Sequence, residues 1–517
     1  MKGKALPLTT VALLSLLYIA GLVHYAEVRP LDGDEGFYAT AARLVWEGKA
    51  PYRDFFFPQA PLLPYLYSWI WAIQPRSLLA MRFLSAACGG LAVFLWGVWL
   101  LFIEKLPRRV ALVTFVVILI NPYWVFWNIA VKPFATANLL MSVAIVCLYA
   151  ALHSDRTRWY FLGGLALGAC ASARLLYAPL IPAVAVWLFW VEWRTSKPPY
   201  PKALALLAGA AGGLSPIIFS FLWHPRAFIF GNLQYHGLQA GYHWVSGKAA
   251  VGYESAGQTL RIYFHTLVDS LLARHDYFKL EMLLSLLGGW SLLKSRRRQE
   301  TLYSTRDYLF FKLAFLMLAG YTATALIPFP PFDQYFTSPL VPFLLPFVAE
   351  GLRLTLVSWK RWVALAVLAA PLLLPGEISK EALANSGYPW CQLSSYRKVA
   401  EVIQANSRPD DVVLSSWPGY VFESGRRYFP GTENQFVFRV TTRISPGARA
   451  RYHLVSKDQI LIAASAGATR TLVIGPWMNE CYDDLSPSEV RQFHAAVNSN
   501  YSLIYHTEDV AVYRRRW

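Results

Sequence analysis

Apolar runs of about 20 residues recur through the first three-quarters of this chain, separated by short polar connections. Each is about as long as a helix needs to be to cross 30 Å of hydrocarbon. One such run fits a buried helix of a soluble protein; a series of them does not. Only 15% of the 517 residues are charged and 56% are hydrophobic, whereas a soluble chain carries about 25% charged residues. The spacing predicts about eleven membrane helices, near 6–25, 78–103, 109–127, 134–152, 159–173, 175–193, 202–223, 277–294, 308–328, 334–352 and 361–377. The first imitates a signal peptide, but its apolar stretch runs long and no A-x-A site follows. It is expected to stay as an anchor.

The net charge of +17 would fit a nucleic-acid partner if it lay on one face. Instead the basic residues punctuate alternate connections: Lys2 and Lys4, Lys105 to Arg109, Arg156 and Arg158, Arg194 to Lys202, Lys294 to Arg306, and Arg353 to Arg361. This alternation marks the cytoplasmic side of a multi-pass protein of the plasma (cytoplasmic) membrane and excludes nucleic acid as the partner. The loops 26–77 and 224–276 then lie outside the cytoplasm, with the C-terminal region.

From about residue 385 the composition changes. Residues 385–517 read as a small extracytoplasmic α/β domain following a membrane domain of residues 1–380. A helix is expected over SYRKVAEVIQAN, strands over DDVVLSS and TLVIG, a helix capped by Ser486 or Ser488, and a C-terminal hairpin. Cys391 and Cys481 flank this domain, and a disulfide between them is chemically allowed outside the cytoplasm. Cys88, Cys147 and Cys170 fall in apolar runs and serve as packing residues. No zinc-type Cys/His spacing occurs.

The first outer loop crowds Asp32, Asp34 and Glu35 just beyond the first membrane helix. Glu35–Glu47 reads as an amphipathic helix lying flat at the interface, with Phe37, Ala41, Leu44 and Val45 on its apolar stripe. Pro61–Ile73 is expected to form a second interfacial helix. Asp34 has two readings, as the N-cap of the first of these helices or as a general base that takes a proton from an acceptor hydroxyl. Glu35 would support it, by orienting it or by helping to hold a metal.

The acidic pair, followed by GKAPYRDFF and PQAPLLPY, resembles the GT-C glycosyltransferases, and within them the branch of protein O-mannosyltransferases and lipid A aminoarabinose transferases. The resemblance spans roughly residues 1–350 and is most specific over 29–67. It implies an inverting transfer of one sugar from a polyprenyl-phosphate donor to an extracytoplasmic acceptor that is a protein, lipid or polysaccharide. Asp34 takes the place of the catalytic aspartate and Glu35 that of its neighbour. The resemblance names no definite cofactor and leaves a divalent metal open.

The same resemblance points to a basic residue at a bend as the contact for the donor phosphate. Arg174 fits that place, or else snorkels to the interface. Lys132 stands at a turn where relatives carry an acidic residue, which weakens a metal site and favours a phosphate role. Gln59 replaces a lysine and would offer the phosphate only a neutral hydrogen bond. In PFDQYFTSP, Gln334 and Tyr335 are further phosphate contacts, with an interfacial anchor as the plain alternative for Tyr335. Arg53 and Asp54 shape the sugar pocket or form a local pair. His236 and His243 are loop histidines suited to metal or acid–base work, or to neither. A transporter or lipid flippase remains the competing class. It would place ionisable residues at the bilayer midplane and repeat its halves, and no repeat is visible here.

Overall fold

The computed structural model describes residues 2–102, 106–194, 200–239, 276–297, 303–327, 333–358 and 391–516, with 261, 264, 265 and 268. Its first part is helical: α1 Lys2–Val28, α2 Glu35–Trp46, α3 Leu62–Ile73, α4 Leu78–Phe102, α5 Arg108–Leu119, α6 Pro122–Trp127, α7 Pro133–Ser154, α8 Thr157–Ala173, α9 Leu180–Trp193, α10 Tyr200–Gly213, α11 Ser215–Trp223 and α12 Pro225–Ile229. Three long helices follow, α13 Asp276–Arg297, α14 Thr305–Ala325 and α15 Val341–Ser358.

Six helical stretches among the described residues are long and apolar enough to cross a membrane: Leu8–Val28, Leu78–Leu101, Pro133–Ser154, Leu175–Trp193, Thr305–Ala325 and Ser338–Val357. The pair Pro201–Gly213 and Ser215–Trp223 is bent by 59° and is a seventh if taken together as one span, the other arrangement being a re-entrant loop. The run expected over 109–127 is two helices, because the Asn121 side chain accepts the Tyr123 and Trp124 N–H groups and starts α6 afresh. Expected helix 159–173 is the 17-residue α8 and 277–294 is α13. The run 361–377 lies outside the described residues.

Small residues let these helices approach closely. A Cβ on Gly164 or Gly168 of α8 would strike the Leu206 or Ala210 carbonyl of α10. One on Gly209 or Gly213 of α10 would strike Phe161 or Leu165 of α8. Two small-xxx-small faces thus meet back to back, where packing substitutes for a hydrophobic driving force.

The C-terminal part contains α16 Leu393–Ala405, α17 Pro418–Ser424, α18 Pro446–Arg451, α19 Lys457–Ser465 and α20 Pro487–Asn500 around five strands, β1 Val412–Ser415, β2 Arg427–Tyr428, β3 Thr471–Ile474, β4 Tyr501–His506 and β5 Ala511–Arg515. The sheet order is β2-β1-β3-β5-β4. β1 runs parallel to β2 and β3, while β5 is antiparallel to β3 and pairs with β4 as the expected hairpin. Ser486 caps α20 in a capping box with Glu489.

Two expectations are corrected here. Cys391 and Cys481 are buried in different cores and no disulfide joins them. Nor does α2 keep an exposed polar face over its first three turns. Glu35 to Leu44 are all buried, because the C-terminal part covers the face that a lone amphipathic helix would leave wet. Arg43, which lies off the apolar stripe, is buried as well. It keeps its pair with Glu47 (2.7 Å) and donates to the Arg426 and Gly425 carbonyls at 2.8 and 3.3 Å. One apolar core therefore runs from Leu31–Met81 into Cys391–Val512.

Candidate functional site

α1 ends, α7 begins, α8 ends and α15 is entered at one end of the helix bundle, and the connections there bring the site together. The basic connections around Arg108, Arg156, Arg306 and Arg353 lie at the opposite helix ends.

Glu35 organises the centre. Its carboxylate is fully buried and takes Arg82 Nη2 and Nε at 2.6 and 2.8 Å. It also accepts the Asp32 N–H (2.9 Å) and the Val131 N–H (3.1 Å), with Arg29 at 3.8 Å. Arg82 uses its other donors on the Ala26, Arg29 and Pro30 carbonyls. One carboxylate thus ties the end of α1, the start of α2, helix α4 and the turn before α7. Burial opposes its charge, but Arg82 and then Arg29 outweigh that and hold Glu35 below its ordinary value. Both oxygens are occupied by groups of the chain itself.

The Val131 bond sets Lys132. Its ammonium meets Asp34 Oδ2 at 2.8 Å, Asp32 Oδ1 at 3.0 Å and Gln334 Oε1 at 3.1 Å, at a side-chain exposure of 5%. Asp34 stands at the N-cap position of α2, yet its side chain makes no capping bond. The charge-assisted bond to Lys132 is the stronger claim on it, and its own N–H goes to Asp32 Oδ1 (3.0 Å). The two aspartates are driven apart electrostatically. Burial works against the charge on Asp32, but Lys132 and Arg29 outweigh it and hold Asp32 low. Burial, opposed by Lys132 and assisted by the Asp32 charge, pushes Asp34 up. Asp34 keeps 29% of its side chain exposed, so it is an accessible carboxylate raised toward the range of a base.

Arg174 enters where α8 breaks, in extended backbone. Its guanidinium lies 4.3 Å from the Tyr335 ring centroid and 4.6 Å from that of Phe134. It is 8% exposed and forms no ion pair among the described residues. Tyr335 follows Gln334, the Lys132 acceptor, so Asp34, Lys132, Gln334, Tyr335 and Arg174 form one continuous cluster. Tyr38, one turn into α2, lies within electrostatic reach of Asp34, Arg174 and Tyr335.

The C-terminal part closes over the acidic loop. Trp417 Nε1 and Gln435 Nε2 both donate to the Gly33 carbonyl, at 2.8 and 2.9 Å. The Leu31 N–H goes to the Cys391 carbonyl at 2.7 Å. A Cβ on Gly33 would run into Trp477, and one on Gly36 would come within 2.8 Å of Trp417 Nε1. Glycine at both positions lets the tryptophans press onto the backbone that carries Asp34.

The other expected residues among those described bond to groups outside this cluster. Arg53 and Asp54 pair with each other at 2.7 Å, and Asp54 also closes its own turn through the Ala50 N–H (2.7 Å). The Gln59 carbonyl accepts the Tyr52 hydroxyl. His236 donates from Nε2 to the Pro58 carbonyl (2.9 Å). Burial, and behind it the charge of Arg174, keep its ring below the ordinary value against that bond. His243 lies outside the described residues. Sequence reasoning missed Arg82, although an arginine inside a 25-residue apolar helix is itself a signal. It also missed Trp417 and Gln435.

A family model described as dolichyl-phosphate-mannose-protein mannosyltransferase matches residues 58–219. No curated protein sequence matches. Among solved structures, ArnT from Cupriavidus metallidurans bound to undecaprenyl phosphate is similar, with a TM-score of 0.61 at 14% identity over 98% of either chain. Its apo state gives the same TM-score at 13% identity, over 98% of this chain and 97% of that one. The fold is similar to that of ArnT, with the C-terminal part included in the match.

Proposed function

We propose that this chain is a membrane glycosyltransferase that moves one sugar from a polyprenyl-phosphate donor to an acceptor outside the cytoplasm. The observation that carries the reading is Arg174, a buried guanidinium with no ion pair among the described residues, in one cluster with an accessible aspartate. A buried charge without its counter-ion is costly, and a phosphate supplies what is missing. Arg29, Arg82, Lys132 and Arg174 face Asp32, Asp34 and Glu35, which leaves an excess of one positive charge for an anionic ligand. The family match and the undecaprenyl phosphate named for the ArnT structure support a lipid phosphate.

In this reaction Asp34 takes the acceptor's hydroxyl proton. The acceptor oxygen bonds to the anomeric carbon from the face opposite the phosphate, with inversion, as the carbon–phosphate-oxygen bond breaks. Arg174, with Tyr335 beside it, stabilises the charge growing on the departing polyprenyl phosphate. The proton then passes from Asp34 to water.

Incubating the purified protein in nanodiscs with a panel of labelled polyprenyl-phosphate sugars and candidate acceptors tests the proposal. Label appearing on an acceptor supports it; label moved across the bilayer on an intact donor replaces it with the transporter reading. Arg174→Met should weaken binding of labelled polyprenyl phosphate by about 10–100-fold, the value of one charged hydrogen bond. Arg174→Lys should fall between, because lysine keeps the charge and loses the planar fork. Unchanged affinity in both would remove Arg174 from the donor site.

The pH profile follows from the two aspartates. Asp34 works as a base only when ionised, so the rate should fall as pH drops through its raised value. Asp32→Asn removes the neighbouring charge that helps raise Asp34, so the acid limb should move to lower pH. A limb that stays put, or moves up, contradicts the assignment.

A further inference from the structure

The most unusual feature of the cluster is the saturation of Lys132. An ammonium has three N–H donors, and this one has three oxygen partners: Asp32 Oδ1, Asp34 Oδ2 and Gln334 Oε1, at 3.0, 2.8 and 3.1 Å. The three come from two distant segments, the α1–α2 loop and the approach to α15. The Trp127 ring covers the cation, with its centroid 4.9 Å from Nζ. A hard divalent cation gathers the same kind of donors, two carboxylates and an amide oxygen, but from about 2.0–2.6 Å. A metal ion drawing on these oxygens would have to sit against the ammonium already between them, and two positive charges at that separation repel strongly. Among the described residues no cluster of three or more His, Cys, Asp or Glu side chains offers a metal site. These residues therefore do not fit a divalent metal while Lys132 is in place.

We infer that Lys132 is a tethered cation that occupies the position between Asp32 and Asp34 where a divalent metal would otherwise sit. The chain supplies this charge itself and fixes it through the Val131–Glu35 bond next door. The two cations of the cluster then divide the work. Lys132, with all three donors engaged, holds the acidic pair together and aims Asp34. Arg174, with no ion pair among the described residues, is left to meet the ligand. The inference deepens the proposed site, but it concerns cation occupancy, which is read without any sugar transfer. It stands or fails separately from the transferase reading.

Removing the tether should open the place it fills. The test is titration of Mn²⁺ into the full-length protein in nanodiscs of neutral lipid, followed by the loss of the free-ion electron paramagnetic resonance signal. The wild type should show no saturable site that depends on Asp34. Lys132→Ala should gain one site per chain, at least about tenfold tighter than any wild-type binding, since a repelling unit charge has gone. The double variant Lys132→Ala, Asp34→Asn should lose that site. Lys132→Ser, which is small and polar, repeats the test if the alanine variant does not unfold cooperatively. Two results overturn the inference. One is saturable Mn²⁺ binding by the wild type that Asp34→Asn abolishes. The other is a folded Lys132→Ala or Lys132→Ser protein that binds no Mn²⁺ at this place.

Discussion

Asp34→Asn is expected to lower sugar transfer by about 10²–10⁴-fold, the range that a positioned general base contributes, while the protein still folds and binds its donor. Asparagine has nearly the shape of aspartate and can still offer an oxygen to Lys132, but it cannot take the acceptor's proton. The start of α2 should not suffer, because the Asp34 side chain caps nothing there. Its backbone is held independently, by Asp32 on its own N–H and by the Trp417 and Gln435 bonds on the preceding carbonyl. Lys132 keeps Asp32 and Gln334, so its charge stays covered. Donor binding belongs to Arg174 and should change little. Single-turnover transfer with donor in excess isolates the chemical step, and retention of labelled polyprenyl phosphate reports binding. Transfer within a few-fold of the wild type would take Asp34 out of the reaction. A parallel collapse of donor binding would make it a structural residue.

The parts of this site that were legible in the sequence are those that stand out locally. Asp34, Arg174, Lys132 and the Gln334–Tyr335 pair are polar residues at the ends of apolar runs, where the bilayer gives them no reason to be. Their convergence is expected only through the resemblance, and no local pattern announces it, since the Lys132–Gln334 bond spans 202 positions and the Lys132–Asp32 pair 100. The capping role foreseen for Asp34 failed because propensity at a helix start knows nothing of a lysine arriving from elsewhere. The amphipathic reading of α2 failed for a similar reason. Its stripe identified one buried face correctly, but Gly36 and Thr40 meet Trp417 and Tyr428 on another. No pattern within 12 residues announces a second layer supplied nearly 400 residues later. In the C-terminal part, by contrast, the hairpin and the capping box of α20 are local devices and were visible. The two-residue strand β2 is too short to leave a periodicity.

Breaking the Glu35–Arg82 pair from either side should destabilise the protein by about 3–5 kcal/mol, the usual cost of leaving one member of a buried ion pair alone. Both side chains are fully buried, so solvent does not screen the loss. Arg82→Met leaves Glu35 facing only Arg29, at 3.8 Å, and frees the Ala26, Arg29 and Pro30 carbonyls. Glu35→Gln leaves two guanidinium groups against a neutral amide. The double variant should cost clearly less than the sum of the two single ones, because neither charge is then stranded. The pH dependence has a definite sign. Glu35 is depressed in the folded protein, so its contribution is whole above the ordinary carboxylate range and is lost as pH falls through the depressed value. Thermal unfolding in detergent across pH should therefore show the wild type and Glu35→Gln converging toward the acid end. The activity of a variant that remains folded separates positioning from catalysis. Glu35 touches no substrate in this scheme, yet through the Val131 N–H it sets Lys132, and through the Asp32 N–H the acidic loop. Loosening it should slow transfer by misaiming Asp34 and leave the acid limb of the pH profile on Asp34. Transfer at the wild-type rate in a folded Glu35→Gln protein would show that the site holds its geometry without this tie. An acid limb that vanished with Glu35 would mean that the base had been assigned one residue too early.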